Sequence, residues 1–403
     1  MKAIIPDLTV TVGQRDEQFV GTDHRPFQAA IRHLVEIAGG GTLKIGPGRF
    51  ELRGAIQLAD HIRIEGHGED TVLAKSPSVR SPVVEDADWW DRSVLLQDAR
   101  GFDPGCDIIV QGKDPRCERP ICKCYTILQR DGNRLQLNEE FDESMWHEGE
   151  FSAATLHSII RTEHVSGLEI RDLVIDGNRD QNENINGNYG AGIFMQRCSD
   201  VVIDNVTVRE HNGDAFSMQV VHDFTIRNCC ALNNADFGLH PGSGSKRSVL
   251  ENNRVEGGSI GLFFCWGVQH GVVRGNTIEG SSTGISIGYK DSDNLVEHNR
   301  ILGAGGVGLL FRDEKEEARS PNRSVFAGNE FTDCGPVEGG PVVHLQGPVD
   351  GTILRENRLS ESRADAQSKT AILIEPGVGR VTLENNQLEG FALDVDDRRD
   401  RSQ

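Results

Sequence analysis

Asp214, Asp236 and His240 stand close together and carry side chains suited to moving protons. Two carboxyl groups set across a glycosidic bond, ~5 Å apart for retention or ~6.5–9.5 Å for inversion, can hydrolyse it. Histidine changes charge near neutral pH, so His240 could transfer a proton or orient a carboxylate. Pro241, Gly242 and Ser243 follow it and fill little space. Tyr289-Lys290-Asp291 and Arg312-Asp313-Glu314 add charge further on. Lys290 or Arg312 could neutralise a substrate carboxylate, and Lys290 with a lowered pKa could abstract a proton from carbon. Trp266 offers a flat face for a sugar ring. Tyr189, Gln196, Gln219, Ser243 and Tyr289 can bond hydroxyl groups.

Each residue also has a structural reading. Asp214 and Asp236 can cap their own turns. His240 can bond a backbone carbonyl at the surface. Lys290, Asp291, Arg312 and Glu314 can form a surface ion-pair cluster, and Trp266 can pack as a wall. Asp291-Ser292-Asp293 could bind Ca²⁺ weakly, because that ion takes several oxygens. Cys117, Cys122 and Cys124, with Cys106, do not have zinc-site spacing. No cofactor is otherwise expected.

The elements that must position these groups repeat. Gly192, Ala215, Gly238, Gly261 and Gly284 are 23 residues apart, and Gly308 follows at 24. Each opens a short apolar-alternating run, such as Ile193-Phe194-Met195-Gln196 or Ile285-Ser286-Ile287-Gly288. Asn205, Asn228, Asn253, Asn276 and Asn299 form a second series, expected to stack at a turn. A period in the twenties, built from strands and turns, predicts a coiled solenoid. Side chains alternate in and out, so Phe194, Ser217, His240, Phe263, Ser286 and Leu310 should share an outward column.

Residues 22–38 predict one helix, capped by Thr22 or Asp23, with an apolar stripe through Phe27, Ala30, Ile31, Leu34, Ile37 and Ala38. The expected organisation is a cap helix and first coils over 1–75, an inserted β subdomain over 76–155, the main solenoid over 156–394, and a charged tail over 395–403.

The 403 residues carry 62 acidic and 42 basic side chains, net −20. That balance argues against nucleic acid or an anionic membrane as partner. The first residues contain no long apolar run, and of the nine cysteines those inside strand-like runs, Cys198, Cys229, Cys230 and Cys265, read as reduced and buried. The expected compartment is the cytoplasm, or outside the cell if a leader was removed. Oligomeric state is left open.

The stretch Phe27-Gln28-Ala29-Ala30-Ile31, Gly39-Gly40-Gly41-Thr42-Leu43 and Gly46-Pro47-Gly48, together with the coil repeat, resembles the right-handed parallel β-helix superfamily of pectin-lyase-like proteins. The resemblance implies an all-β solenoid and carbohydrate-active chemistry: polygalacturonase-like hydrolysis, uronate elimination or epimerisation. It also admits tailspike-like glycan binding. Gly213-Asp214-Ala215 resembles the polygalacturonase Gly-Asp-Asp segment, with Ala215 in place of the second Asp. His240-Pro241 reverses the Pro-His order of alginate epimerases. The expectation is therefore a glycoside hydrolase using Asp214 and Asp236. The alternatives are a lyase or epimerase with Lys290, His240 or Tyr289 as base, or a non-catalytic glycan-binding solenoid.

Overall fold

A computed structural model describes residues 5–364, 366 and 369–399. Of the expected tail, residues 400–403 lie outside the described residues, while Leu393–Asp397 forms a strand. The chain coils into a parallel β-helix. One face is an eleven-stranded parallel sheet that includes Ile160–Glu163, Ala191–Gln196, Asp214–Gln219, Phe237–Gly242, Ile260–Phe263, Thr283–Ile287 and Val307–Phe311. A 22-stranded sheet forms the remaining faces.

Register makes the core. Ile193 pairs with Phe216, Phe216 with Leu239, Leu239 with Leu262, Leu262 with Ile285 and Ile285 with Leu309. None of these is more than 1 % exposed. The small residues that open each run face the opposite sheet. A Cβ on Gly238 would lie 2.4 Å from Val255, and one on Gly261 2.2 Å from Ile278. The 23-residue period records that repeated clearance.

The asparagine ladder runs through Asn253, Asn276, Asn299, Asn329, Asn357 and Asn386. Each Oδ1 from Asn276 onward accepts the backbone N–H and side-chain amide of the preceding member. Asn205 and Asn228 do not belong to it. They are exposed, take left-handed φ of 54°, and bond Asp172 and Asp204. Cys229, not Asn228, occupies the ladder position below Asn253. The step of 25 residues between Asn228 and Asn253 marks that slip.

The helix spans Arg25–Ala38 and covers the first coil. Asp23 caps its start, as expected, with Oδ1 accepting the Arg25 N–H at 3.0 Å. Ile37 is 66 % exposed and falls off the apolar stripe. Gly39 ends the helix in the left-handed region, with φ 69°. Between Arg80 and Ala154 the coils give way to a six-stranded antiparallel sheet with its own core, including Phe102, Ile108, Ile127 and Phe141. A second cluster, Ile109, Ala154 and Leu156 with Ile185, ties this sheet to the loop after residue 177. All nine cysteines are free; Cys198, Cys229 and Cys265 are buried, but Cys230 is half-exposed.

Candidate active site

Strands Asp214–Gln219 and Phe237–Gly242 lie side by side, with Ser217 opposite His240. Asp214 sits where its strand begins, so its carboxylate reaches forward to the next coil. Its Oδ1 accepts the Phe237 N–H at 3.1 Å, and its Oδ2 lies 2.6 Å from Nδ1 of His240. Asp214 is fully buried and His240 is 2 % exposed. Burial pushes the Asp214 carboxyl pKa up, against the pull of the imidazole and the Phe237 N–H.

His240 was expected to face open space, but neighbouring rings and a loop enclose it. Its ring centroid lies 5.1 Å from those of Phe237 and Phe263. Ser217 donates to the Gly187 carbonyl at 2.6 Å, which holds the loop over the site. A Cβ on Gly187 would meet Asp214 Oδ2 at 1.8 Å, so only glycine permits that approach. The Gln219 amide reaches Ser217 Oγ at 2.9 Å and His240 Nε2 at 3.4 Å. With Nδ1 committed to Asp214, Nε2 is held only by the longer Gln219 contact, which a substrate would have to displace to reach it.

Above the pair is a pocket of about 730 Å³. It is lined by Tyr189, Gln196, Gln219, Asp236, Ser243 and Trp266, and by Asn184, Asn186, Gly187, Asn188, Phe237, Phe263 and Cys265. The loop residues and Phe237 were not singled out from sequence. They lie in the loop after residue 177 and beside Asp236. Asp236 is half-buried and accepts from Asn184 Nδ2 at 2.8 Å. Trp266 is 62 % exposed, and its ring lies 5.0 Å from that of Tyr289 at 31°.

Asp214 and Asp236 line the same pocket but differ in their surroundings. Both oxygens of Asp214 are engaged beneath the pocket, and only Asp236 presents an accessible carboxylate. Lys290, Arg312 and Asp313 are not among the pocket's lining residues. Lys290 is exposed, with its ammonium 5.3 Å from the Tyr289 ring centroid. Arg312 donates to Ser286 Oγ at 2.9 Å and to the Phe264 carbonyl at 3.0 Å, and stands 4.8 Å over Phe263. Asp313 pairs with Lys315.

Asp291 and Asp293 each bond other groups of the protein. Asp291 is fully buried and accepts N–H groups from Gly267, Val268 and Gly288, with Arg312 at 3.2 Å. Burial pushes its pKa up to about 6. Asp293 pairs with Arg323. Among the described residues no three His, Cys, Asp or Glu side chains are grouped to hold a metal. No helix among them is long and apolar enough to cross a membrane.

The A-module of the mannuronan C-5 epimerase AlgE4 of Azotobacter vinelandii superposes with a TM-score of 0.55 at 18 % identity, covering 96 % of this chain and 97 % of that one. The family 28 exopolygalacturonase of Yersinia enterocolitica gives 0.55 at 11 % identity, over 98 % of this chain and 78 % of that one. This chain has the pectin-lyase-like right-handed β-helix fold. The surface adhesin PfbA of Streptococcus pneumoniae also shares it, with a TM-score of 0.53 at 12 % identity over 96 % of this chain and 93 % of that one. Residues 171–371 are similar to the family described as NosD, periplasmic copper-binding protein. The donor set copper prefers, imidazole with soft sulfur, is not gathered among the described residues. No curated protein sequence matches significantly.

Proposed function

We propose that the protein is a carbohydrate-active enzyme that cleaves a uronate-containing glycan by β-elimination, with His240 as the proton-transfer group. The supporting observation is the 2.6 Å contact between buried Asp214 and His240 at the floor of the pocket. A buried carboxylate on Nδ1 fixes the tautomer and leaves Nε2 as a base. His240 takes the proton at C5, the electron pair forms the C4–C5 double bond, and the C4–O bond breaks. The same imidazolium returns its proton to the departing oxygen, so no co-reactant is needed. Asp214 acts through His240 and is a positioning residue.

Hydrolysis is the second reading, because Asp236 lies in the same pocket as an accessible carboxylate. His240 would then activate water while Asp236 protonates the leaving group. Lys290, exposed with its ammonium 5.3 Å from the Tyr289 ring centroid, is a cation that an anionic glycan passing over Tyr289 would meet, whereas Arg319 beside it is paired with Glu316. The NosD likeness carries a periplasmic description and favours action outside the cytoplasm over the cytoplasmic expectation.

The test is incubation of the purified protein with neutral and uronic-acid glycans, reading reducing ends and near-ultraviolet absorbance together. Elimination gives both signals, and hydrolysis gives reducing ends alone. A protein that binds a glycan and gives neither signal is not a cleaving enzyme on it.

A further inference from the structure

The outward column of the eleven-stranded sheet is covered on one side of the pocket and open on the other. Phe194, one coil before Ser217 in that column, is 1 % exposed. The Arg161 guanidinium lies 5.3 Å from its ring centroid and donates to the Tyr189 carbonyl at 3.2 Å. The loop that closes this side is pinned from below and behind. Ser217 holds Gly187, the Ile185 N–H bonds the Asn212 carbonyl at 2.9 Å, and Ile185 packs into the cluster of the six-stranded sheet. A wall anchored by both the solenoid and a second sheet does not open cheaply.

On the C-terminal side the loop after Arg312 reaches only the coil of Tyr289, where the Arg319 carbonyl accepts the Lys290 N–H at 2.7 Å and Glu314 accepts the Tyr289 N–H at 2.8 Å, and it leaves the Trp266 ring uncovered. Trp266 is largely exposed and is followed, one coil on, by Tyr289. Adjacent coils are about 4.8 Å apart, close to the length of one sugar residue in an extended chain. Lys290 and Arg319 flank that second ring.

From this asymmetry we infer that the pocket takes the end of a glycan chain. The terminal sugar sits above His240, and the anionic remainder leaves over Trp266 and Tyr289 toward the C-terminal coils. The inference rests on the glycan reading of the pocket. It adds that the protein acts on chain ends and selects which end.

The test uses uronate oligosaccharides of two to eight residues, each carrying a bulky aromatic cap on one end, the other or both. Binding is measured by calorimetry on His240→Gln, and product sizes are followed with the wild-type protein. One cap position should weaken binding at least a hundredfold, the other less than threefold, and the double cap should match the worse single one. Trp266→Ala should weaken tetramer binding roughly tenfold, and more than it weakens monosaccharide binding. The wild type should release one product size from the first time point. Equal binding of both singly capped forms, or a ladder of early product sizes, overturns chain-end recognition but leaves the glycan reading standing. Failure of every uncapped glycan to bind overturns both.

Discussion

His240 and Asp214 lie 26 residues apart in sequence and 2.6 Å apart across neighbouring coils. The solenoid makes this contact possible, because the strands carrying them are fixed in parallel register, Phe216 against Leu239 and Ser217 against His240. Phe237 and Phe263 flank the imidazole, so it has little freedom to turn away. Proton transfer benefits from such restraint, since the base need not be ordered at the moment of reaction.

Asp214→Asn should abolish most turnover with little change in fold. The amide keeps an oxygen for the Phe237 N–H but can present a donor to His240 Nδ1, which reverses the tautomer. The expected loss is about 10²–10⁴-fold in kcat, with substrate binding and melting temperature nearly unchanged. Steady-state kinetics beside thermal unfolding checks this. Near-normal kcat would remove Asp214 from the mechanism.

Asp236→Asn separates the two cleavage chemistries. Under β-elimination Asp236 bonds substrate hydroxyls and its loss costs less than about tenfold in kcat/KM. Under hydrolysis it is the general acid, and the loss is about 10²–10⁴-fold. The account expects the smaller effect, read from initial rates on a leaving group that needs protonation.

The two classes of asparagine should differ sharply in stability. Asn299 is 1 % exposed, and its Nδ2 donates to the Val273 carbonyl at 3.0 Å. Asn299→Ala leaves buried backbone groups unpaired and should cost about 1–3 kcal/mol. Asn228→Gly keeps the left-handed backbone at an exposed position and should change stability by less than about 0.5 kcal/mol. Urea unfolding of both variants checks the difference.

Lys75 should give the fold an alkaline preference. Its ammonium is buried, donating to the carbonyls of Ser76 at 3.0 Å and Thr155 at 2.9 Å. Burial pulls its pKa from 10.5 down to about 7, against Cys106 and Asp107. A depressed amine contributes stability that is full above pH 10.5 and is lost as pH falls toward 7. The melting-temperature difference between wild type and Lys75→Met should therefore shift by several degrees in favour of the wild type between pH 7 and pH 10. A difference independent of pH would show that Lys75 keeps an ordinary pKa.

Much of the fold was legible because the solenoid repeats its physical demands. Gly238 and Gly261 recur where each coil must clear Val255 or Ile278, and Ile193, Phe216 and Leu262 recur where each coil fills the core. The asparagine series was only half legible, since Asn228 stands one position short of the ladder that begins at Asn253. Local rules could not see that offset, because it depends on which residue meets the next coil. At the site, Asp214 and His240 stood out by chemical type, but their contact did not. It requires a side chain at a strand start to reach the next coil. Lys290, Arg312 and Asp313 looked adjacent along the sheet, yet turn geometry sends Lys290 over Tyr289 and Asp313 to Lys315, while Arg312 is held by Ser286. The enclosure of His240 came from a loop some fifty residues away, held by Gly187, and no periodicity encodes that.

The most direct test compares wild type with His240→Gln on a uronate oligosaccharide, following near-ultraviolet absorbance for turnover and calorimetry for binding. The account predicts absorbance from the wild type, a loss of about 10²–10⁴-fold in the variant, and binding within a few fold of normal. Undiminished absorbance from His240→Gln would contradict it, and so would a wild type that binds the glycan and leaves it intact.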